Sequence, residues 1–99
     1  MARKKSLTAR TSLELAELLD LSPADAQEWD FRIQLAERIA QEVARRKLTH
    51  AQAAKLAGTS RSRMTGIING GLGSISTDLL LRILASLGLR AKITFSRAA

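Results

Sequence analysis

Between Leu48 and Gly70 the chain runs LTHAQAAKLAGTSRSRMTGIING, and this stretch limits the possible folds more than any other. Thr49 stands where a helix reaching about Ala57 needs its N-cap, and Gly58 tolerates the positive φ that ends such a helix. Ser60 then caps a second helix running to about Ile68, closed by Asn69-Gly70. Ala54 is small where the second helix must cross the first, and Met64, Ile67 and Ile68 are spaced to face inward. Arg61, Ser62, Arg63 and Thr65 are left on the outer face of the second helix. These are hydrogen-bonding groups of the kind that enter a DNA major groove. The pattern is that of a helix-turn-helix whose second helix reads DNA.

The flanks supply the body of a small helical domain. Residues 1–10 form a basic arm, and residues 11–99 form a single domain. Thr11-x-x-Glu14 is a capping-box pattern, and Leu13, Ala16 and Leu19, with Leu15 and Leu18, predict a short helix over about 12–20. Ser22-Pro23 opens the next helix, with Asp25 in its first turn. Its apolar stripe is Ala26, Trp29, Ile33, Ala36, Ile39, Ala40 and Val43, and it ends at Arg45-Arg46-Lys47. A helix this long invites a kink near Trp29–Phe31. Ser76 caps a last helix with Ile75 and Leu80 as a hydrophobic staple; Leu80, Ile83, Leu84 and Leu87 make its inner face, and Gly88 stops it. From 90 to 96 the period changes to two, with Ala91, Ile93 and Phe95 alternating with polar residues, which predicts one C-terminal β-strand. The expected fold is therefore mainly α: a bundle of about five helices containing a helix-turn-helix, plus that strand.

Charge is distributed unevenly. The net +7 is made of +4 over residues 1–10, −6 over 11–31, +6 over 32–63 and +3 over the remainder. No acid lies between Glu42 and Asp78, and the helix-turn-helix falls within this gap. A basic block of this kind suits a polyphosphate, because each neutralised phosphate releases counterions. Arg45, Arg46, Lys47 and Lys55 are suited either to holding phosphates or to solubilising helix ends. Only 3% of residues are aromatic, so the core must come from Leu, Ile, Val and Ala. There is no cysteine, hence no disulfide and no thiolate metal site. No apolar run approaches about eighteen residues, and a cytoplasmic location is expected.

Catalysis is not expected, and neither a cofactor nor a metal is implied. His50 is the only histidine, no serine or threonine stands at a nucleophile elbow near it, and there is no metal-ligand spacing. Asn69-Gly70-Gly71-Leu72-Gly73-Ser74 is rich in glycine but lacks the lysine of a phosphate-binding loop and follows a helix.

On these residues the chain resembles the XRE family of Cro and phage-repressor-like helix-turn-helix proteins over roughly Phe31 to Leu89. LTHAQAAKLAGTSRSRMTGIING followed by ISTDLLLRILASLGL is similar to the version in HigA-type antitoxins. The resemblance implies base-edge contacts from Arg61 and Ser62. It implies phosphate or supporting contacts from Arg63 and Thr65, and such roles are expected also of His50, Ser60, Lys55 and Asn69. The family usually has glutamine where this chain has His50, and a third base-reading side chain where it has Gly66. For Arg61 the chemistry agrees independently, since arginine bonds guanine O6 and N7 bidentately, worth about 1–3 kcal/mol of discrimination.

A lone strand must pair with Ser6–Arg10, with a second copy or with another protein. Pairing with a second copy, through Leu89, Ala91, Ile93 and Phe95, would make a homodimer. It would set two reading helices about 34 Å apart on a palindromic operator. HigA-like regulators act as dimers, and the resemblance further implies an antitoxin that represses its own operon. A basic ribonuclease toxin of the HigB or RelE kind would then suit the acidic segment 11–31. The leucines of that segment serve equally to extend the core. Alternatives are a stand-alone or phage-type regulator, a protein-interaction module using the helix-turn-helix as scaffold, and an RNA-binding protein acting through charge.

Overall fold

The computed structural model describes residues 22–97. Within them lie four helices: α1 (Pro23–Arg45), α2 (His50–Ala57), α3 (Arg61–Ile68) and α4 (Thr77–Ser86). The basic arm and the helix expected over 12–20 fall outside the described residues.

Each helix starts where a hydroxyl can cap it. Ser22, Thr49, Ser60 and Ser76 adopt extended backbone angles, and each side chain accepts the backbone N–H three residues on. At α2 the cap is a full capping box, because Gln52 returns its side chain to the Thr49 N–H at 2.8 Å. Pro23 fits the first position of α1, whose N–H would have had no helical partner. α1 is continuous through Trp29–Phe31 for its full 23 residues.

All four helices end with one motif. Lys47, Gly58, Gly70 and Gly88 have positive φ, and the next N–H in each case reaches back five residues to a helix carbonyl. At Gly58 this turns the chain between α2 and α3 within the few residues a helix-turn-helix allows. At Lys47 a lysine holds the same left-handed geometry, with φ of 55°.

The core lies where α1 and α4 close over the α2–α3 pair. Ile39, Met64, Ile67, Leu80, Ile83 and Leu87 are almost wholly buried, each removal from water contributing roughly 1.5–3 kcal/mol. Ala53 and Ala54 are also buried, so α2 lies close to its neighbours with no side-chain bulk between.

Two arginines, Arg32 on α1 and Arg46 at its C-cap, tie this core to distant backbone. Arg32 donates to the Leu72 and Ile75 carbonyls in the loop between α3 and α4, with its guanidinium 5.5 Å from the Trp29 ring centroid. Arg46 donates to the Leu87 carbonyl at the end of α4 and to the Glu42 carboxylate at 2.7 Å. Glu42, only 1% exposed, is the single buried charge among the described residues. Arg38 and Arg45 also reach it, at 3.2 and 2.6 Å. Hydrogen bonds from Arg45 and Arg46 outweigh the cost of burial and hold the Glu42 carboxyl down to about 2.

The expected bundle of five helices with a terminal strand needs correction. Four helices and no strand are present among the described residues, and residues 89–97 have no regular structure. A strand needs an edge to satisfy its donors and acceptors, and this helical body offers none. Leu89 and Ala91 pack against the core instead, while Ile93 and Phe95 stand 65% and 93% exposed. The strand-mediated pairing of two copies falls with the strand.

Candidate nucleic-acid interface

The outer surface of α3 follows from its short length and its cap. Met64 and Ile67 turn inward and Ile68 is half-buried, so the first turn must face out. Ser60, Arg61, Ser62 and Arg63 are consecutive and all exposed. The Ser60 hydroxyl accepts the Arg63 N–H at 3.0 Å, which fixes Ser60 as the cap. Arg61 and Arg63 have no ion pair among the described residues, and neither do Lys47 and Lys55. Four cations from 47 to 63 therefore stand without an opposing acid among the described residues. Lys55 and Asn69 are exposed, Lys55 on α2 and Asn69 as the C-cap of α3.

The two helices are braced by a direct side-chain bond. His50 Nδ1 lies 2.8 Å from Thr65 Oγ1, linking the first residue of α2 to the middle of α3. Histidine thus braces α3 from the first position of α2. Thr65 is half-buried and serves this brace, whereas Arg61 and Ser62 have no side-chain partner among the described residues. At Gly66 an added Cβ would meet only the Gly71 carbonyl oxygen, at 3.8 Å, which is ordinary contact. Packing within the domain does not require glycine there.

Of the residues expected to hold phosphate, Arg45 and Arg46 are engaged inside the domain by Glu42. Sequence reasoning missed the buried Glu42 group and the Arg32 clamp. The first had a visible signal in the spacing of Arg38, Glu42, Arg45 and Arg46, which places three cations within three or four residues of one acid. The second joins residues forty and more positions apart and had none.

A pair of short helices crossing at buried alanines, a left-handed glycine turn and an unopposed cationic first turn define a helix-turn-helix DNA-binding domain. The chain belongs to a family described as a helix-turn-helix domain, whose model matches residues 18–96. No curated protein and no solved structure matches it. None of the described helices is long and apolar enough to cross a membrane.

Proposed function

We propose that this protein is a sequence-specific transcriptional repressor that inserts α3 into the major groove and reads bases with Arg61 and Ser62. The observation that carries the reading is Arg61, exposed and without an ion pair among the described residues, at the first position of a helix whose opposite face is locked into the core. His50, Ser60, Lys55, Arg63, Thr65 and Asn69 hold phosphates or support α3 under this reading. Gly66 adds no base contact, so one copy of α3 reads few bases. Two copies on a palindromic operator supply the missing specificity. Leu81, Ile93 and Phe95, apolar and outward-facing on α4 and the tail, favour such self-association. Selection from random duplexes followed by sequencing tests the proposal. It expects an inverted repeat whose guanine preference disappears in Arg61→Ala, and enrichment without any repeat or preference would refute it.

The antitoxin role is the finer form of this proposal. It rests on the likeness to HigA-type proteins and on the acidic stretch 11–31, which complements a basic ribonuclease. Co-expression with the product of the adjacent gene checks it; separate elution of the two proteins leaves a stand-alone regulator.

A further inference from the structure

The brace between α2 and α3 contains the chain's one histidine. Its Nδ1 is engaged with Thr65 Oγ1, while its Nε2 has no partner among the described residues and is not a buried orphan. A neutral imidazole carries one N–H, so the two ring nitrogens have opposite roles. In the tautomer in which Thr65 donates its hydroxyl hydrogen to Nδ1, the imidazole hydrogen sits on Nε2 and is available to an anion. Adding a proton reverses the inner bond: Nδ1–H then donates to Thr65 Oγ1, and the threonine hydrogen turns away. The imidazolium presents Nε2–H and a full positive charge, and Thr65 becomes a free donor on the reading helix.

We propose that His50 links DNA binding to proton uptake, a DNA phosphate at Nε2 favouring the imidazolium while Thr65 reverses its hydrogen bond. The proposal rests on the DNA-binding reading above. Charged groups on the elements packed against α2 are Arg61 and Arg63 on α3 and Asp78 and Arg82 on α4. Lys55 lies on α2 itself, and Lys47 on the link before it. Asp78 is bonded to Arg82 at 3.1 Å, and Glu42 is held by its arginines. Among the described residues no carboxylate is paired with His50, so a phosphate is the anion left to stabilise its charged form. Histidine changes charge between about pH 5 and 8, where the other side chains of this interface keep theirs. A glutamine in this position could bridge the same groups without titrating, so binding through His50 responds to pH where binding through a glutamine would not. His50 acts as a positioning residue for α3 and as a titratable phosphate contact.

The test measures affinity by fluorescence anisotropy, using a labelled random-sequence duplex of about two helical turns. The full chain and His50→Gln are compared from about pH 5.5 to 8 at fixed ionic strength. The full chain should bind on the order of tenfold more tightly at the acid end, corresponding to a one-unit rise in the histidine midpoint on binding. His50→Gln should bind with a flat profile, and any contribution of the chain's amino terminus cancels between the two. Nitrogen-15 spectra of the single imidazole should show hydrogen on Nε2 in the neutral form and a midpoint that rises when duplex is added. Equal pH profiles for the two proteins, or a midpoint unmoved by DNA, would overturn the proposal. Failure of the full chain to bind at any pH would instead remove the DNA-binding reading, and the proposal with it.

Discussion

The arginines of α1 and its C-cap and those of α3 are the same residue put to opposite uses. Arg32 and Arg46 reach backbone carbonyls forty and more residues away, and Arg38, Arg45 and Arg46 surround one buried carboxylate. Arg61 and Arg63, in the first turn of α3, meet no oxygen of the described chain through their side chains. In sequence the eight cations from 32 to 63 form one basic block. In the fold they divide into a frame whose arginines are bonded to other parts of the protein and a surface whose cations have no such partner among the described residues. What an arginine does here depends on whether an acceptor lies within reach, and net charge does not report that. If this division is correct, damage to the frame should appear as lost stability and damage to the surface as lost DNA discrimination.

The largest effect is expected at Glu42, where one carboxylate organises three cations. Its folded value of about 2 lies below the ordinary 4.5. Because folding lowers the value, the contribution is fully present above about 4.5 and is lost as pH falls through about 2. Thermal unfolding followed from neutral pH downward should show Tm falling steeply across that window. Glu42→Gln should start with a lower Tm and show a flatter acid limb. If wild type and variant have the same limb, Glu42 is not the anchor of the frame.

Arg32→Ala comes next. It leaves the Leu72 and Ile75 carbonyls without their charged donor and removes the stack on Trp29. Denaturant unfolding should report a loss of about 2–3 kcal/mol. Arg61→Ala should do the reverse. Its unfolding free energy should stay within about 0.5 kcal/mol of wild type. Its affinity for the selected operator should fall by about 1–3 kcal/mol, with a much smaller loss on random duplex. Equal losses on both duplexes would make Arg61 a phosphate contact and move the reading surface elsewhere.

The sequence made the local elements legible because helix ends are decided by nearby atoms. Thr49, Ser60, Ser76, Gly58 and Gly88 act within three to five residues, and the structure uses each as a cap or a stop. The outward first turn of α3 was readable for the same reason, from the spacing of Met64 and Ile67. The tail was misread because alternation measures only which side chains agree in direction. A strand also needs a partner edge, and none is present among residues 22–97. Arg32 has no legible role in the sequence because nothing near it shows the carbonyls it meets. His50 is conspicuous in the sequence as the only histidine, yet its bond to Thr65 depends on how α2 and α3 cross.

Lys47 lies on the border between frame and surface and gives the smallest but sharpest test. It ends α1 in the left-handed conformation that Gly58, Gly70 and Gly88 supply at the other three helix ends. A side chain in that conformation costs roughly 1–2 kcal/mol, part of which glycine returns through its freer unfolded chain. Lys47→Gly should therefore stabilise the fold by about 0.5–1 kcal/mol, read as a higher Tm. Strained positions concentrate where function needs the side chain, and Lys47 is exposed three residues before His50 with no ion pair among the described residues. If it belongs with the surface, the same substitution should lower the salt dependence of DNA binding by about 0.9 in the slope of log affinity against log salt, one phosphate's worth. A gain in stability with an unchanged slope would assign Lys47 to the frame and leave Lys55, Arg61 and Arg63 as the cations that face DNA.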